Sequence, residues 1–168
     1  MTDSSVATAA RRPEPPSADQ RARRLRALRS NSAGISVMLL VQYGLGIGVN
    51  LYAEVPDADH GVGILVAAGR ALTSQPVALA LHTGLGLLML VAGVTVLVRA
   101  IRARHRLAIA ASALGFAAII GAAVSGATFV SSDHDSASLA MALLTGVALL
   151  CYLANLLTVV PSTAAAKG

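Results

Sequence analysis

The sequence predicts an all-α integral membrane protein, a four-helix bundle with both termini in the cytoplasm. Three observations predict it. The 168-residue chain is 55% hydrophobic and only 12% charged, whereas a soluble domain carries roughly a quarter charged residues. Four uncharged stretches are each about 20 residues or longer, enough to cross a hydrocarbon core about 30 Å thick. The charges themselves are sorted by side.

Residues 1–33 read as a disordered, basic cytoplasmic tail. Pro13, Pro15 and Pro16 with many Ser and Ala leave too little to bury. The run 17–30 admits two readings, a solvated tail that sets orientation or an Arg-rich helix lying on the inner leaflet. It carries no aromatic or base-reading groups, so nucleic acid is not expected as a partner.

The first span is placed at 34–53, too long for the apolar core of a cleaved signal, typically about 7–15 residues. Residues 54–76 form an outer loop, in which GVGILVAAG is too short to span and fits an interfacial or re-entrant helix. Pro76 suits the start of the second span at 77–98, because its missing N–H is not needed there. A basic turn leads to the third span at 107–130. Residues 131–138 form an acidic turn whose Asp135 or Ser136 is placed to cap the fourth span at 139–160. Pro161 stops that span, and 161–168 form a second cytoplasmic tail.

Orientation follows from counting basic residues. Seven Arg in the N-terminal tail, Arg99, Arg102, Arg104 and Arg106 in the middle turn, and Lys167 make twelve of the thirteen; only Arg70 lies on the other side, together with five of the eight acids. Lys and Arg concentrate in cytoplasmic segments, which puts both ends and the middle turn inside. The Arg-over-Lys usage, with so much Ala, Gly, Val and Leu, fits a GC-rich bacterial genome. The expected location is therefore a bacterial cytoplasmic membrane, with the lipid bilayer as surroundings and a membrane-protein partner or a second copy as possible company.

Candidate chemistry is sparse. Every Asp, Glu, Lys and Arg falls in a loop or at a span end. His82 is the one ionisable group well inside a span, where such groups are costly and face the bundle interior with a partner. Three readings stay open for it: a neutral ring hydrogen-bonded to backbone or to a Ser or Thr, a ligand to a cofactor, or a proton relay, which lacks a nearby carboxylate. Counted from the outer ends, Gly44, Gly48, Gly84, Gly86, Gly121 and Gly126 lie near the His82 level, as do Met141 and Thr145. Glycines leave room for a flat macrocycle, and haem iron is commonly held by His or by a His/Met pair. The same glycines also serve close helix packing, Gly44 and Gly48 forming a small-xxx-small pair. Met141 is equally apolar filling.

The outer segments add Asp57, Asp59 and His60 to Asp133, His134 and Asp135, a mixed N/O set for a divalent cation if the two segments met. Cys151, the single cysteine, reads as a small buried apolar residue. No phosphate-binding glycine loop, HExxH, nucleophile elbow or CxxC is present, so no enzyme class and no catalytic residue is indicated. A small transporter is disfavoured by spans without charges or internal prolines.

Gln42-Tyr43-Gly44-Leu45-Gly46 on the first span and His82-Thr83-Gly84-Leu85-Gly86-Leu87-Leu88 on the second resemble the four-helix unit of the haem A synthases. The resemblance covers 38–160. It implies haem b between the second and fourth helices near the outer face, with His82 and Met141 as iron ligands, Gln42 nearby and electron transfer as the role. Three departures keep the synthase activity from carrying over. Met141 stands where a second His is expected, Leu79 stands where an acid is expected, and there is one bundle where those enzymes have two. The chain also looks like small four-helix membrane proteins of GC-rich bacteria that share Asn50-Leu51-Tyr52, a likeness that implies topology and no activity. A faint internal repeat lays Gly46 over Gly121 and His82 over Met141. The alternative to a haem protein is a non-catalytic accessory subunit that packs on a partner through its glycine faces.

Overall fold

A computed structural model describes residues 17–52, 77–132 and 135–158, together with residues 63, 66, 69, 70 and 72. Four helices account for nearly all of it: α1 Ala18–Tyr52, α2 Val77–Ala103, α3 Arg106–Ser132 and α4 Asp135–Thr158. Each contains a stretch long and apolar enough to cross a membrane. Within those stretches only 22–33% of the residues are buried, so most of the apolar surface faces outward. Side chains such as Leu40, Leu81, Leu114 and Leu150 stand more than half exposed. A soluble monomer rarely exposes so much contiguous apolar surface; lipid is the solvent that suits it. The chain is thus a multi-pass helical membrane protein.

The helices form a ring in chain order. α1 packs on α2, α2 on α3, α3 on α4 and α4 back on α1. α2 and α4 therefore stand diagonally opposite.

α1 is longer than the span expected at 34–53: its helix begins at Ala18 and runs without a break through the residues expected as tail. The cause is local. Ser17 is an N-cap, its Oγ accepting from Gln20 N at 3.3 Å, and Asp19 adds a favourable charge to the first turn. Ala, Arg, Gln and Leu then propagate the helix. Leu25, Leu28 and Ser32 fall on one face, and Leu28 is fully buried with Ala100, Ala103 and Ala108. The arginines on the other faces mask that stripe in a reading by composition.

The α2–α3 turn is built tightly. Arg104 takes a left-handed conformation (φ 53°) that ends α2. The Arg24 guanidinium donates to Arg102 O at 3.0 Å, satisfying a carbonyl at the α2 C-terminus, where a cation is favoured. His105 Nδ1 accepts from Ala108 N at 3.2 Å and caps α3.

Buried residues concentrate at the end of the bundle nearest Ala18, here the tail end. Leu28, Ile35, Leu39, Met89, Val96, Ala100, Ala118, Ala148 and Tyr152 form one core there. At the opposite, loop end Val49 and Leu79 form a small buried cluster among the described residues. Span hydroxyls bond within their own helices, as Thr145 does to Met141 O at 2.8 Å and Ser36 to Ser32 O at 2.9 Å, the usual way to satisfy a hydroxyl in lipid.

α4 begins at Asp135, so Asp135 and Ser136, the two residues expected to cap it, both lie inside the helix. Of the expected re-entrant helix GVGILVAAG only Gly63, Val66 and Gly69 are described, Val66 N donating to Gly63 O at 2.9 Å; Asp57, Asp59, His60, Asp133 and His134 lie outside the described residues, as do residues 1–16 and 159–168. Among the described residues no three His, Cys, Asp or Glu side chains gather as a metal site.

Candidate functional site

His82 sits on α2 in the loop-end half and faces α1. The amide of Gln42 meets it there. Gln42 Nε2 donates to His82 O at 3.0 Å and lies 3.2 Å from His82 Nε2. An amide carries two N–H groups, so one serves the carbonyl and the other points at the ring. His82 Nε2 then accepts, and the ring proton resides on Nδ1. This is the neutral tautomer, whose Nε2 lone pair faces the Gln42 N–H.

Two glycines make the approach possible. A Cβ on Gly46 would stand 3.2 Å from the imidazole Cε1, and a Cβ on Gly86 would stand 3.3 Å from Gln42 Nε2. Gln42 and Gly46 are four apart on α1, as His82 and Gly86 are on α2. The antiparallel register therefore seats each polar side chain against the other helix's glycine. Two polar atoms at this seam, His82 Nδ1 and Gln42 Oε1, are buried without a hydrogen-bond partner among the described residues. Buried polar atoms normally have partners, and each exception calls for a reason.

The remaining candidates are arranged differently. Met141 Sδ lies 3.0 Å from where a Gly126 Cβ would be, and Leu144 fills the space at Gly121, its Cδ1 at 3.0 Å. Both contacts belong to the α3–α4 seam. His82 and Met141 thus occupy opposite seams of the ring on diagonal helices, the thioether against α3 and the imidazole against α1. The contacts do not follow the internal repeat: Gly46 meets His82, but the glycine that meets Met141 is Gly126, and Gly121 meets Leu144. Gly44 and Gly48 have no described atom within 4 Å of an added Cβ. They face away from the bundle, on the stripe of Val37, Val41 and Leu51, which are exposed.

Reading the spans for ionisable groups alone misses a second polar pair, at the tail end. Asn155 Nδ2 donates to Ser112 Oγ at 2.9 Å, and both residues are fully buried. Asn155 Oδ1 and the hydroxyl of neighbouring Tyr152 lack partners among the described residues. The signal was a single amide side chain within the fourth span. Gly46 was likewise legible as the residue one turn from Gln42.

Comparison with known proteins adds no relative: no family model, no curated protein and no solved structure matches the chain. The class that fold and site define is a polytopic membrane bundle with one imidazole–amide pair set between two glycines.

Proposed function

We propose that this protein sits in a bacterial cytoplasmic membrane with both ends inside, and binds haem b through His82 in the outer half of its bundle. The observation that carries this reading is the pair of unpartnered buried atoms, His82 Nδ1 and Gln42 Oε1, at a seam flanked by Gly46 and Gly86. In this tautomer Nε2 is the atom that would hold the iron, and the Nδ1–H, which ligating histidines commonly give to an acceptor, has none among the described residues. Gln42 covers Nε2 and has to turn aside for any iron to be held there. Met141 faces Gly126 and is not carried forward as the second ligand. Bound haem would supply a one-electron couple near the outer leaflet. The chain's part is to hold the ring neutral, to present Nε2, and to exclude water with apolar side chains.

The test is a visible spectrum of protein purified in mild detergent, oxidised and then reduced with dithionite. An intense Soret band, lost in His82→Ala and kept in Met141→Leu, is expected. A colourless protein from haem-replete cells contradicts the reading.

A second reading has its own observation. Gly46, Gly86, Gly93, Gly115, Gly121 and Gly126 are all filled by neighbours, whereas the Gly44–Gly48 pair meets nothing among the described residues. Small-xxx-small faces bring membrane helices together. An accessory subunit docked on a membrane partner, or on a second copy, through this face of α1 is the alternative. Gly44→Leu would then abolish co-purification of the partner, or a dimer band after cross-linking, and leave any spectrum unchanged.

A further inference from the structure

The tail end of the bundle gathers exposed guanidinium groups, with Asp19 the one carboxylate on that side among the described residues. We propose that this collar binds the phosphate groups of anionic phospholipids in the adjoining leaflet.

The observations are geometric. Because α1 continues as helix past its span, it carries Arg26 and Arg29 at the level of the α2–α3 turn, which Arg24 and Leu28 meet and which contributes Arg102, Arg104 and Arg106. All five are exposed. Two contacts lock these segments together: the Arg24 bond to Arg102 O at 3.0 Å and the burial of Leu28 among Ala100, Ala103 and Ala108. Like charges closer than the screening length, about 8–10 Å, repel, and an anion between them relieves that repulsion.

Placement selects a lipid over a soluble anion. At 100° per residue, Arg26 stands on the same face of α1 as Val37 and Gly44, the face turned outward along the span, with Arg29 beside it. These arginines therefore look along the surface that lipid covers, not away from the membrane. The 35-residue α1 is about 52 Å long at 1.5 Å per residue. That exceeds the hydrocarbon core of about 30 Å and the full bilayer of about 40–45 Å. The level of Leu28 and the α2–α3 turn then coincides with the phosphates. Arg is suited to the task, since its planar fork takes a phosphate by two parallel bonds. The charge count that sets orientation requires Arg on this side; it does not require a rigid cluster on the lipid-facing surface.

The experiment uses the full chain in zwitterionic detergent. Phosphatidylglycerol, phosphatidylcholine or inorganic phosphate is added, with bound lipid read by native mass spectrometry and stability by thermal unfolding. Phosphatidylglycerol is expected to be retained at least tenfold better than phosphatidylcholine, given the attraction of each basic residue for an anionic surface, and the preference should shrink as salt rises. In Arg26→Gln/Arg104→Gln/Arg106→Gln it should fall about tenfold or more, with the helical circular dichroism unchanged. Equal retention of the two lipids, a preference indifferent to salt, or equal stabilisation by inorganic phosphate would overturn the proposal. Should the triple variant fail to fold, the salt titration of the unaltered chain decides.

Discussion

The two ends of this bundle solve the same packing problem in opposite ways. At the tail end the ring of helices closes on a continuous core from Leu28 to Tyr152, with glycines admitting aromatic rings. A Cβ on Gly93 would meet Phe116 at 2.7 Å and one on Gly115 would meet Tyr152 at 3.0 Å. At the loop end Gly46 and Gly86 admit polar groups, His82 and Gln42; each end leaves buried polar atoms without partners among the described residues, His82 Nδ1 and Gln42 Oε1 at one, Ser32 Oγ, Tyr152 OH and Asn155 Oδ1 at the other. Solid packing fixes the helices relative to one another. A looser, polar seam costs stability, and a ligand that satisfies it would restore some. The larger core lies at the tail end and the imidazole–amide pair at the loop end.

If that division holds, substitutions should sort by location. The largest effect is expected for Tyr152→Ala, since a fully buried ring at the convergence of α2, α3 and α4 is lost. About 3–5 kcal/mol of stability should go with it, seen as a large drop in unfolding temperature in detergent. Gly115→Val comes next. Its added methyls press on Tyr152 and Cys151 Cβ, and overpacking of this kind costs about 1–3 kcal/mol in the same assay. Gln42→Ala should cost far less, near the roughly 0.6 kcal/mol average for interhelical hydrogen bonds in membranes; a loss as large as that of Tyr152→Ala would make the seam a structural lock. Smallest is Gly44→Leu, expected to leave monomer stability within about 0.5 kcal/mol, because no described atom opposes it.

Much of the architecture was legible in the residues. Four apolar runs and a basic turn follow from length and charge, because crossing lipid forces both. The start of α1 was not legible from composition: Leu25 and Leu28 sit among arginines, and only their spacing shows that they face the bundle. The site was half legible. His82 stands out as an ionisable group inside a span, and Gln42 came through its motif. Met141 shows where the reasoning stops. Counting from the helix ends gives depth along the axis, but which seam a side chain enters depends on helix rotation and on the order of helices around the ring. The sequence pattern does not fix either one. Depth put Met141 level with His82, and the ring order put the two in opposite seams.

The most direct measurement is the Soret absorbance per protein of the unaltered chain and of Gln42→Ala, each purified from haem-replete cells and compared with His82→Ala. Uncovering Nε2 should keep or raise the band in Gln42→Ala, while His82→Ala abolishes it. A spectrum without a Soret band in all three proteins, with the bundle intact, would contradict the assignment of His82 as a haem ligand and leave the pair as a hydrogen-bonded clamp between α1 and α2.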